Sequence, residues 1–190
     1  MIRSILSVLA LVAAASFLQG CFPLAVTGMG AAALMASDRR SSGMYVEDEN
    51  IEWRVFARLR GEFPGAHVNA TSYNRRVLLT GQVPSDEAKK KVEESVRGVL
   101  NVRDVVNELQ VAGASSLASR GNDALITSNV KARMVNFGGS FSPTHVKVLT
   151  EANVVYLMGL VTAAEGDAAA EVARTTQGVS RVVKVFEYVN

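Results

Sequence analysis

The sequence predicts an α+β protein of two tandem units. Each unit is a helix, two strands, a second helix and a last strand, so that a three-stranded sheet packs on two helices. Two observations point there. Segments of the chain recur at a nearly constant spacing, and within each copy the apolar residues change from helical spacing to strand spacing and back. His67-Val68-Asn69-Ala70 and Val77-Leu78-Leu79-Thr80-Gly81-Gln82-Val83 return as His145-Val146-Lys147-Val148 and Val155-Tyr156-Leu157-Met158-Gly159-Leu160-Val161, 78 residues later (67 to 145, 81 to 159). Residues 51–59 match 126–134 at an offset of 75, and residues 102–106 match 179–183 at 77. The offset shifts where a loop or a helix turn absorbs it.

The elements follow in order. Ile51, Val55 and Leu59 are spaced by four, as are Ile126, Val130 and Met134, which predicts a first helix in each copy with those residues on its core line. Asn122 or Asp123 suits the N-cap of the second of these helices. A hairpin comes next. It turns at Asn74-Arg75 in the first copy and at Glu151-Ala152-Asn153 in the second, and Gly81 and Gly159 are expected to end the return strands. Ser85 and Thr162 stand shortly before acidic residues, a helix-start pattern that opens second helices over about 86–99 and 163–176. A last strand over 105–111 and 182–189 closes each unit. Residues 112–121 are rich in Gly, Ala and Ser and read as a linker between units at 46–111 and 122–190. Units this small bury modest cores, so the two are expected to pack together.

Ahead of the units lies a targeting segment. Arg3 precedes an apolar run over residues 5–18, which ends at Leu18-Gln19-Gly20-Cys21, and Cys21 is the only cysteine. A positive start, a hydrophobic core and small residues at a cut site are the layout of a secretory signal over residues 1–20. The last four residues resemble the bacterial lipobox. That resemblance implies cleavage between Gly20 and Cys21, a diacylglyceryl thioether on Cys21 and acylation of the new amine. Acyl chains on one residue make an anchor, and several chains hold where one would exchange. Residue 22 is Phe and not the Asp that retains lipoproteins in the inner membrane, so the resemblance implies the outer membrane, periplasmic face. Residues 22–36 are apolar but interrupted by Pro23, Gly28 and Gly30, and read as a tether in the span 21–45, with residues 37–43 as a polar linker.

The hairpin ending in Gly (Val77 to Gly81, Val155 to Gly159) and the later turn into a Val-Val strand (Asn101 to Val106, Gly178 to Val183) resemble the BON domain family, over nearly all of residues 50–190. The first copy has Asn101 where the second has Gly178, and Asn tolerates the same left-handed turn. The resemblance implies two BON units, binding to phospholipid surfaces and a part in cell-envelope integrity.

The residues themselves argue against most chemistry. The two histidines, His67 and His145, hold equivalent positions at strand starts and read as structural, so an enzyme is not expected. There is no second Cys and no His pair at helical spacing, hence no expected metal or cofactor, and no small-molecule substrate is implied. Residues 46–111 carry 10 Lys/Arg against 11 Asp/Glu and residues 122–190 carry 6 against 6, too little positive charge for a nucleic-acid module. Lys89-Lys90-Lys91 reads as a solvated helix face. The first helix of the second unit is different. Leu125 and Val135 lie off the core line and are accompanied by Lys131 and Arg133. Apolar residues flanked by cations suit an anionic phospholipid bilayer, with Leu125, Val130, Lys131, Arg133, Met134 and Val135 as the candidate contact. Packing of Leu125 and Val135 against the other unit is the competing reading, and Trp53 is open to the same two roles. The alternative function is an adaptor lipoprotein that holds an envelope protein partner.

Overall fold

The computed structural model describes residues 38–137 and 141–190, and the readings of Gly20, Cys21 and the tether lie outside them. Along the chain run α1 (Ser42–Glu62), β1 (His67–Tyr73), β2 (Arg76–Val83), α2 (Asp86–Arg97), β3 (Asp104–Asn107), β4 (Gln110–Val111), α3 (Leu117–Asn136), β5 (Val146–Glu151), β6 (Val154–Val161), α4 (Ala163–Arg174) and β7 (Arg181–Tyr188). In each repeat the hairpin is antiparallel and the last strand returns parallel to its second strand, giving the orders β1-β2-β3 and β5-β6-β7. The architecture is α+β, as the sequence predicts.

Alternation along the middle strands builds three cores. Val77, Leu79 and Val83 of β2 face Ile51, Val55 and Leu59 of α1 and Val92 and Val96 of α2. Val155, Leu157 and Val161 of β6 face Ile126, Val130 and Met134 of α3 and Ala169, Val172 and Ala173 of α4. The residues of opposite parity meet each other instead: Tyr73 and Leu78 pack on Val154, Tyr156, Met158 and Val185. The two sheets are therefore face to face, with a pair of helices on each outer side. This is how small units bury enough apolar surface. Polar contacts rim the joint. Glu151 accepts from Gln82 Nε2 at 2.7 Å and from Asn69 Nδ2 at 3.1 Å, Lys147 Nζ reaches Glu52 at 2.9 Å, and Glu187 pairs with Arg103.

Several expectations are corrected. Gly81 and Gly159 do not end their strands but lie inside them. A Cβ at Gly81 would stand 2.0 Å from the carbonyl oxygen of His67, and one at Gly159 would stand 2.2 Å from that of His145, so close backbone approach excludes a side chain there. The last strand of the first repeat is broken into β3 and β4, and the Glu108 amide between them donates to Leu79 O. α3 begins at Leu117, inside the segment read as a linker, and its N-cap is Ser116, whose hydroxyl accepts from Ser119 N. The second helices end at Arg97 and Arg174, slightly earlier than expected, while Ser85 caps α2 and Thr162 with Glu165 forms a full capping box on α4.

Asp123 is thus not a cap. Its carboxylate crosses to the β5-β6 turn and accepts from Ala152 N at 2.9 Å and Asn153 N at 2.8 Å. Asp48, its counterpart, accepts from Asn74 N and Arg75 N, each at 2.8 Å. All four turn residues have positive φ, between 50° and 66°, as a two-residue hairpin turn of this hand requires. Only Asn among them tolerates that region well, and the buried carboxylate fixes the rest.

Candidate functional site

α3 presents two faces. Its core line, Ile126, Val130 and Met134, is buried against the sheet and α4. Val130 and Met134 are therefore removed from the candidate contact: at intervals of four they share one stripe, and that stripe is used by the fold. Arg133 is also engaged, because its guanidinium donates to Thr176 Oγ1 at 2.8 Å, Thr175 Oγ1 at 3.0 Å and Val172 O at 3.2 Å, at the C-terminal end of α4. The surroundings of Leu125 and Val135 are different. They are 65% and 67% exposed on the outer face of α3, so neither packs on the first repeat. Leu117, at the start of the helix, is 85% exposed. Lys131 stands exposed on the same helix.

Charge separates α3 from its counterpart α1. Within Leu117–Asn136 the single acidic residue is Asp123, and it is buried on the turn amides. The outward-facing ionic groups of α3 are thus the cations Arg120 and Lys131, while Arg133 is folded onto the end of α4. α1 carries Glu47, Asp48, Glu49, Glu52 and Glu62. It also exposes Trp53, at 69%, and Phe56, whose rings meet edge to face at 6.2 Å. Trp53 is accordingly not an anchor between the repeats. It borders a cleft of about 720 Å³ that runs between α1 and β1 and reaches Leu149 and Glu151 of β5. The Lys89 cluster is a solvated face, where Lys91 pairs with Glu87 at 2.7 Å.

The segment before α1 is bound to the body. Arg39 donates to both oxygens of Glu165, at 2.6 and 2.9 Å, and to Leu160 O at 2.9 Å. The Arg39 guanidinium holds the Glu165 carboxyl down at about 2. Arg40, 6% exposed, bonds Asp48 at 2.8 Å and Asp38 at 2.7 Å, with its guanidinium 3.9 Å above the Tyr73 ring. Burial pushes the Tyr73 hydroxyl up to about 12, and the neighbouring Asp38 adds to it. Residues 38–40 are therefore not a free linker, a placement that depends on partners far along the chain.

Two α+β units of this topology, joined through their sheets, make a tandem-repeat protein with a pair of helices on each outer side. The chain belongs to the BON domain family, which matches residues 47–113 and 122–190. It is similar to the outer membrane lipoprotein DolP of Haemophilus influenzae, with 39% identity over 186 residues, covering 95% of this chain and 94% of that one. It is also 36% identical over 158 residues to the 21 kDa hemolysin of Actinobacillus pleuropneumoniae, covering 80% of this chain and 79% of that protein. Among solved structures, the C-terminal domain of CdsD, a structural protein of the type III secretion system of Chlamydia trachomatis, covers 73% of this chain and 96% of its own at 12% identity, with a TM-score of 0.31, too low to carry weight.

Proposed function

We propose that the protein is an outer-membrane lipoprotein, acylated at Cys21 and facing the periplasm, that lays the outer face of α3 on anionic phospholipid and so supports envelope integrity. The observation that carries the lipid reading is the make-up of that face: Leu117, Leu125 and Val135 exposed, Lys131 beside them, and the helix's one carboxylate turned inward. Apolar insertion supplies the larger part of such binding, and each cation near an anionic surface adds about 1 kcal/mol. The outer-membrane assignment follows the similarity to DolP and the Gly20-Cys21-Phe22 sequence. The role is one of binding, not catalysis.

Vesicles of phosphatidylglycerol test the reading with the unacylated protein from residue 38 onward. Leu125→Glu keeps the fold, since the side chain is exposed, and abolishes binding. Removing Lys131 weakens binding and its salt dependence in part. Undiminished binding by Leu125→Glu refutes α3 as the contact. The adaptor reading has its own observation, the exposed Trp53 and Phe56 beside the cleft on α1, and that surface is where an envelope protein would then be sought.

A further inference from the structure

We propose that Asp38, Arg39 and Arg40 form a clamp that fixes, across both repeats, the place where the acylated arm joins the folded body. The clamp thereby holds the outer face of α3 toward the membrane that bears the anchor, a consequence that rests on the lipid reading above. Two successive arginines reach two different repeats. Arg39 makes a forked contact with Glu165 of the second repeat, and that carboxylate is already fixed by the Thr162 amide at 2.7 Å in the α4 capping box. Arg40 is locked into the first repeat by Asp48 at 2.8 Å and by Tyr73 beneath it at 3.9 Å, with Tyr45 at 5.1 Å. Asp38 closes the arrangement, accepting from Arg40 and, at 3.3 Å, from the Tyr73 hydroxyl.

The BON unit does not require this arrangement. At the offset of 75 that relates the copies, the residue in the place of Arg40 is Ser115. Ser115 bonds Arg120 and the Gln82 side chain instead. The clamp thus belongs to the arm that leads to Cys21. Its location is also informative. Glu165 lies 4.0 Å from Nδ1 of His145, which leads into β5 just after α3, and Phe137 past the end of α3 meets Phe141 at 6.2 Å. Arg39 therefore sits at the end of the second repeat where α3 finishes, the end that carries Lys131 and Val135.

Chain length alone would not orient α3. Residues 22–37 span up to about 55 Å when fully extended. A defined root removes orientations in which α3 faces away and makes its contact with the bilayer an intramolecular event of raised effective concentration. Asp38, Arg39 and Arg40 are positioning residues in this scheme.

The test uses the full acylated chain in vesicles of phosphatidylethanolamine and phosphatidylglycerol. With Cys21 acylated, Ser128→Cys, at an exposed position of α3 one turn from Leu125, is a single labelling position for a donor dye, and the acceptor is a headgroup-labelled lipid. Arg39→Glu should lose most of the energy transfer with its circular dichroism unchanged, and Arg39→Lys, which keeps a cation beside Glu165, should retain most of it. Equal transfer in the parent and Arg39→Glu overturns the clamp. Vesicles of phosphatidylcholine alone separate the two proposals. A loss of transfer with Arg39→Glu there upholds the clamp even if the unacylated protein ignores phosphatidylglycerol, and no loss in either vesicle overturns it.

Discussion

Asp123→Ala should destabilise the second repeat more than any exposed change on α3. The carboxylate accepts two turn amides, at 2.9 and 2.8 Å, and is almost fully buried. A net hydrogen bond to a charged group is worth about 1.5–3 kcal/mol. The turn amides are only partly buried, so water replaces some of the loss, and the lower end applies twice, about 3 kcal/mol in all. Ala152, held at φ 50°, loses its restraint in the same step. Asp123→Asn keeps one acceptor but turns its NH2 donor on the other turn amide, and should cost about as much as the alanine. Asp48→Ala should cost more than Asp123→Ala, because Asp48 also accepts from Ser72 Oγ at 2.7 Å and neutralises the buried Arg40. Urea unfolding followed by circular dichroism reads these differences as shifts of the midpoint at constant slope. A loss below about 1 kcal/mol for Asp123→Ala, or a smaller loss at Asp48 than at Asp123, refutes the role given to these two carboxylates.

The Arg39–Glu165 pair should make stability depend on acid. The folded carboxyl sits at about 2 against an ordinary 4.5, so its contribution is complete above pH 4.5 and is lost as pH falls toward 2; Arg39→Ala should flatten the urea midpoint across that window, by a coupling of about 1 kcal/mol for a partly exposed pair. Gly159→Ala should cost about 1–3 kcal/mol through the clash with the His145 carbonyl, and Gly81→Ala more, since its φ of +114° adds backbone strain. Thermal unfolding of both variants checks that order, and a tolerated Gly81→Ala contradicts it.

Much of the fold is legible in the sequence because it depends on local chemistry. The four-residue spacing of Ile51, Val55 and Leu59 marks a stripe that is buried, and the Ser85 and Thr162 caps are read from neighbouring residues. The rest depends on distance along the chain. Asp123 stands in front of an apolar period and so resembles a cap, but its partners are about 30 residues away. The first turns of α3 meet no core, leave no apolar period, and hide in an Ala/Ser/Gly composition that a linker shares. The Arg39 contact joins residues 126 apart. One signal was available: Asp48 and Asp123 recur at the offset that relates Ile51 to Ile126. An acidic residue repeated three places before a core line marks a tertiary role. For the candidate surface, the helical phase separates Leu125 and Val135 from the core, whereas Val130 and Met134 follow their stripe inward.

The difference between the two copies is what gives the molecule a direction. α1 and α3 occupy the same place in the same fold, and the sheets between them put their outer faces on opposite sides of the body. One flat bilayer cannot lie against both. Where α3 has Ala124, Leu125 and Val135, α1 has Glu49, Asn50 and Arg60 at the same offset, and a carboxylate facing an anionic headgroup layer is repelled. The same face of α1 exposes Trp53 and Phe56 beside a cleft that polypeptide could enter. If α3 lies on the bilayer as proposed, the aromatic face of α1 points into the periplasm. On that proposal the lipid and adaptor roles are two sides of one body, and the expected outcome is a Leu125 variant that releases lipid and a Trp53 variant that leaves lipid binding untouched.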